Sequence, residues 1–128
     1  MAEQHPTAAA PELIAARRIE LIAAIEEVRA AGKEVKALLD KLDQSMRRAV
    51  GQLERGASAN KVVSATGLPD RRAALNDSAA RMRLARYECQ RAMFRLAIAE
   101  GISKSDIARQ WRVSRQLVSR TARELGPL

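Results

Sequence analysis

The stretch Ser114–Arg123, SRQLVSRTAR, gathers the side chains of this 128-residue chain best suited to recognition chemistry. Arg115, Arg120 and Arg123 each carry a planar fork of donors, Gln116 pairs a donor with an acceptor, and Ser114 and Ser119 supply hydroxyls. Arg can chelate the two acceptors on a guanine edge, and Gln can pair with adenine. Ser114, at a helix start, can meet a phosphate. Lys104 and Arg109, just upstream, suit backbone charge rather than bases. Little else in the chain can do chemistry. Cys89 and His5 are the single cysteine and histidine, so neither an internal disulfide nor a zinc site can be assembled. There is no glycine-rich phosphate loop, and the serines have no histidine beside them. No catalytic site, metal or cofactor is expected, and the chain reads as a non-enzyme.

Two short helices must position those residues. Ser103 is a suitable N-cap for a helix over Lys104–Gln110, and Asp106 three residues on makes a short capping box. Ile107, Ala108 and Trp111 form its inner face, and Arg112 and Val113 make the turn. Ser114 caps a second helix from Arg115 to about Leu125, closed by Gly126 and Pro127. Leu117, Val118 and either Thr121 or Ala122 turn inward, which leaves Ser114, Arg115, Gln116, Ser119, Arg120 and Arg123 outside. Arg91–Glu100 supplies a supporting helix.

These residues resemble a helix-turn-helix DNA-binding motif. Ala108 is the small residue where the helices cross, and Ile107, Trp111, Val113 and Val118 match the apolar positions. The unit FRLAIAEGISKSDIARQWRVSRQLVSRTARE is similar to the three-helix DNA-binding domains of resolvase and invertase recombinases, and to many small bacterial and phage regulators. The resemblance covers roughly the last 35 residues. It implies an all-α fold that lays its second helix in the major groove of double-stranded DNA. Arg112 departs from it, standing where the family usually has the turn glycine.

A weaker copy lies upstream. ERGASANKVVSATGLPDRRAALND aligns with AEGISKSDIARQWRVSRQLVSRTA when Gly56 is set on Gly101, an offset of 101 − 56 = 45 residues. Ser58 then meets Ser103, Val62 meets Ile107, Val63 meets Ala108, and Gly67 falls on the turn. Val63 is large for a helix crossing, and Asn76 stands where an apolar residue belongs. Arg71 and Arg72 at its tip are secondary DNA-binding candidates, opposed by Asp70. A helix joins the copies, and Asn76, Asp77 and Ser78 could break it.

The segment Glu12–Arg55 reads as one long helix, begun at Pro11 and stopped at Gly56. Steps of three and four alternate through Ile14, Leu21, Val28, Val35, Leu42 and Ala49 in one register, and Arg18, Ile25, Gly32, Leu39, Met46 and Leu53 in the other. Ile22, Leu38 and Val50 widen the stripe toward a bundle. The phase runs through Gly32, so a continuous helix of roughly 65 Å is expected there rather than a hairpin. Leu21, Ile25, Val28, Val35, Leu39, Leu42 and Met46 are the oligomerisation candidates, with a homodimer expected. The expected organisation is a disordered tail over 1–11, the oligomerisation helix over 12–55, a degenerate helix-turn-helix over 56–78, and a basic helix-turn-helix unit over 79–128.

Charge points the same way. The chain carries 23 Lys and Arg against 15 Asp and Glu, net +8. Residues 1–80 hold 12 basic and 11 acidic groups, and residues 81–128 hold 11 and 4, so the excess is concentrated in the last third. That asymmetry favours a polyanion partner. The tail MAEQHPTAAAP is neither a signal peptide nor a membrane anchor, so a cytoplasmic, nucleoid-associated location without membrane contact is expected. Three roles stay open: a transcriptional regulator or repressor acting as an oligomer; a phage packaging or recombination accessory DNA-binding protein; and a helical adaptor between proteins.

Overall fold

Pro11 opens α1 at a position where its missing N–H costs nothing, and the helix then runs 44 residues, Pro11–Glu54. In the computed structural model, which describes residues 6–123, four more helices follow: α2 Ala59–Thr66, α3 Leu68–Ala99, α4 Lys104–Trp111 and α5 Arg115–Arg123. The protein is all-α. α1 is continuous through Gly32, and a Cβ there would sit 3.8 Å from Met82, an ordinary contact. α3 is continuous through Asn76–Ser78, where a break was possible. Asn76 and Asp77 face solvent and Ser78 is buried, so the helix keeps its polar residues outside at two of the three positions. His5 and the closing residues Leu125, Gly126 and Pro127 lie outside the described residues.

The chain divides into two compact units. One is Arg29–Leu84; the other joins the residues up to Val28 with those from Ala85 onward. The boundaries expected at 55/56 and 78/79 are not those of the compact units, because α1 and α3 each belong to both.

In the Arg29–Leu84 unit the core is made of small side chains: Ala31, Ser45, Ala49, Val62, Thr66 and Ser78 are buried. Such residues let helices approach closely. Arg81 of α3 reaches Glu34 of α1 at 2.5 Å. Thr66 satisfies its buried hydroxyl by donating to the Val62 carbonyl at 2.7 Å.

In the other unit, Phe94 of α3, Ile107 and Ala108 of α4 and Val118 of α5 form one buried cluster, with Ala97, Ile98, Ile102 and Val113 packed against it. The start of α1 lies beside the end of α3, where Arg18 donates to Glu100 at 3.2 Å.

Within these units α1 turns one of its two heptad registers inward. Ile14, Leu21, Val28, Val35, Leu42 and Ala49 are buried or half-buried. The residues completing that seam are Ala24, Ala31, Leu38, Ser45 and Gln52. The second register, expected to share the seam, faces out: Ile25 is 37%, Leu39 47%, Met46 49% and Leu53 52% exposed. The physical reason is size. Close approach of α1 selects the alanine and serine positions over the leucine and methionine ones.

Candidate nucleic-acid interface

The C-terminal unit is built by caps. α3 ends where Gly101 takes φ +90°, with Gly101 N–H donating to Ile98 and Ile102 N–H to Ala97, both at 3.0 Å. This paired bonding absorbs carbonyls that the helix end leaves open. Ser103 then caps α4, its hydroxyl accepting from the Asp106 N–H at 3.1 Å. The Asp106 carboxylate does not close a capping box as expected; it pairs with Arg109 one turn on. α4 ends in the same manner as α3: Arg112 N–H donates to Arg109 at 3.4 Å and Val113 N–H to Ala108 at 3.0 Å. Val113 packs on the core cluster containing Ala108, the apolar contact that accompanies this turn.

Arg112 occupies the turn with φ 55° and ψ 45°, and among the described residues it is the single non-glycine with positive φ. The turn is therefore left-handed although no glycine stands there. A left-handed backbone costs an ordinary L-residue about 1–2 kcal/mol, and glycine gives part of this back through its freer unfolded chain. Arg112→Gly should stabilise the protein by about 0.5–1 kcal/mol, measured as a higher urea midpoint. A lower midpoint would show that the Arg112 side chain makes a contact worth more than the strain.

Ser114 caps α5, its hydroxyl oxygen accepting from Leu117 N–H at 3.0 Å. Val118 and Thr121 are fully buried, so Thr121 rather than Ala122 takes the innermost place, with Leu117 and Ala122 half-buried. Outside are Ser114, Arg115, Gln116, Arg120 and Arg123, with Ser119 half-buried between them. At 3.6 residues per turn, positions 115, 116, 119, 120 and 123 share an arc of about 140°. Arg123 is steadied by donating to the Ser119 carbonyl at 3.2 Å. Arg109 is exposed and Lys104 half-buried on α4. From Gly101 to Arg123 the chain holds six basic residues and one acid, Asp106. Asp106 is occupied by Arg109, and α5 has no acid at all.

Trp111, expected on the inner face, is instead 40% exposed. Its ring stands edge-on to Phe94, centroids 5.3 Å apart, so one side packs and the other meets solvent. Arg112, exposed at the turn beside it, is the cation that attention to helix faces overlooks. Its one signal in the sequence is that it replaces the turn glycine.

The upstream copy repeats the local design at the offset of 45 residues. α2, Ala59–Thr66, shifted by 45 is α4, Lys104–Trp111. Ser58 accepts from Lys61 N–H at 3.2 Å as Ser103 does from Asp106. Gly67, at φ 66°, stands for Arg112. Gly56, at φ 86°, closes α1 with the paired bonds that Gly101 uses, from Gly56 to Leu53 and from Ala57 to Gln52. Val62 and Ile107 are both buried, but Val63 is 42% exposed where Ala108 is buried. The helix after the turn differs in length: α3 runs 32 residues and α5 nine. Arg71 is half-buried and Arg72 exposed at its start, beside exposed Asp70.

Among the described residues no group of His, Cys, Asp and Glu could hold a metal, and no helix is long and apolar enough to cross a membrane. Burial raises the Cys89 thiol above its usual range, which disfavours the reactive thiolate. No protein-family model, curated protein or solved structure matches the chain.

Proposed function

We propose that the chain binds double-stranded DNA sequence-specifically, with α5 in the major groove, and acts as a dimeric transcriptional regulator of the repressor type. The observation that carries this reading is the acid-free outer face of α5, held on a capped helix-turn-helix by a buried core. Arg115, Gln116 and Arg120 are the base-reading residues. Ser114, Ser119, Arg123, Lys104 and Arg109 approach the backbone, and Arg112 joins them from the turn. Arg71 and Arg72 add backbone charge from the upstream copy. A second copy of the chain covers the outward register of α1, since a row of exposed apolar side chains at heptad spacing marks an association surface.

Selection of bound sequences from a random pool, on the full-length protein, tests the reading. It should return a two-fold symmetric site, because a symmetric dimer reads two half-sites. On that site Arg115→Ala should cost about 1–3 kcal/mol, and much less on random DNA. Replacing Arg71 and Arg72 with Ala should lower the salt slope by at most about two phosphate equivalents and keep the consensus. Binding that shows neither a consensus nor salt dependence would leave the adaptor role in its place.

A further inference from the structure

Residues 6–10, which precede α1, cross the carboxyl end of α3. Ala9 N–H donates to the Ala99 carbonyl at 2.7 Å. Gly101 permits the crossing: a Cβ there would lie 3.0 Å from the Pro6 carbonyl oxygen and 3.2 Å from the Ala8 nitrogen. Beside this strap, within the same compact unit, opens a cleft of about 410 Å³. Its walls include Leu13 and Arg17 of α1, Arg95, Ile98 and Ala99 of α3, and Ala122 of α5. That volume falls within the roughly 300–1,000 Å³ of small-molecule sites, and apolar walls with a few polar groups are their usual lining.

The two arginines are not equally served. Arg17 donates to both Glu20 oxygens, at 2.9 and 3.1 Å. Arg95 Nη1 stays 3.9 Å from Glu20 Oε2, beyond hydrogen-bond reach. Neighbouring Arg91 leans on Glu88 at 3.6 Å. Among the described residues, these three guanidiniums pair with two carboxylates, one positive charge in excess. Both cleft arginines are half-buried, with side chains 21% and 23% exposed. Burial first, and then the nearby Arg17 and Arg91, push the Arg95 pKa below its ordinary value. A half-buried cation whose nearest carboxylate lies beyond hydrogen-bond reach is only partly compensated, and a bound anion would supply the missing acceptors.

We infer that this cleft is a binding site for a small aliphatic monocarboxylate, its carboxylate on the Arg95 guanidinium and its tail against Leu13, Ile98 and Ala122. The fork of Arg95 matches a carboxylate's two oxygens. One excess charge suits a monoanion better than a phosphate dianion, and the apolar walls suit a hydrocarbon tail. Ala122 belongs to α5, so a readout through DNA would rest on the proposed function. The test therefore measures the ligand directly.

Octanoate is titrated into the full-length protein and followed by calorimetry and by backbone amide shifts. Saturable binding is expected with Kd of about 0.1–1 mM, ordinary for about ten non-hydrogen atoms, with shifts centred on Ala9, Ile98, Ala99 and Ala122. Octanol, lacking the carboxylate, should not saturate. Arg95→Gln should weaken octanoate at least about tenfold, the loss of one charge-assisted pair. Leu13→Glu, at an exposed position and so harmless to folding, should block it by placing a fixed carboxylate at the cleft. The inference is overturned if octanoate fails to saturate, if octanol binds as well, if the shifts lie elsewhere, or if Leu13→Glu binds like the parent.

Discussion

Phe94→Ala should lower the stability of the C-terminal unit by about 3–5 kcal/mol, the range for emptying a fully buried aromatic site. Phe94 has no exposed surface, and it joins three helices by packing with Ile107, Ala108 and Val118. Its edge-on contact with Trp111 adds about 0.5–1.5 kcal/mol beyond burial. Small proteins hold only about 5–15 kcal/mol in all, so the substitution removes a large share. Trp111 is the single tryptophan and stands against the substituted ring. Its fluorescence therefore follows the packing of α4, while helicity follows the whole chain. The urea midpoint should fall by both probes. The proposed DNA binding should weaken before the chain unfolds, because Val118 holds α5 to the same cluster. A loss under about 1 kcal/mol would mean that the α4–α5 pair is held by something other than this core.

The parts of this architecture that were legible in the sequence are those written in local chemistry. Ser103, Ser114 and Ser58 announce helix starts because a hydroxyl satisfies an open N–H, and each does so in the structure. Gly56, Gly67 and Gly101 announce stops because each backbone is left-handed. Hence the offset of 45 residues could be found from punctuation alone. What was not legible depends on packing at a distance. The register from Ile14 to Ala49 has a stripe on either side that could complete its seam, and hydrophobicity favours the one that faces out. Ala31, Ser45 and Ala49 lie inward because they are small, while Leu39, Met46 and Val50 remain outside. No local signal distinguishes an alanine that permits close approach from one that merely favours helix. The compact units were hidden for a related reason: α1 and α3 each pass from one to the other without a break in sequence pattern. Trp111 falls on the inner face by its apolar position in the helix, although its ring packs on Phe94 and is 40% exposed.

The outward register is the face through which two copies of the chain are proposed to meet. In the Arg29–Leu84 unit, Leu39, Met46, Val50 and Leu53 are 47%, 49%, 55% and 52% exposed. A single exposed apolar residue is unremarkable, but four on one helical face form a patch that water disfavours. Asp43 interrupts the row and is drawn toward Arg47 at 3.1 Å, so the row can still be covered. The double substitution Leu39→Glu with Met46→Glu places two like charges per copy within the proposed interface. An uncompensated charge buried there costs several kcal/mol, so the dimer Kd should rise by more than about a thousandfold. Both positions are exposed in the single chain, and such surface changes usually alter folding by no more than about 0.5 kcal/mol. The variant should therefore sediment as a helical monomer at concentrations where the parent forms the proposed dimer. Its affinity for a two-half-site DNA should fall by about 10²–10⁴, the gain that joint engagement supplies, while a single half-site is bound as before. Leu42→Glu is the contrast, since Leu42 belongs to the inward seam and its substitution should unfold the unit. Should the double variant lose its helicity as Leu42→Glu does, the outward register is part of the fold and not of the dimer. Should the parent itself sediment as a monomer at micromolar concentration, the second copy is not the partner of this face.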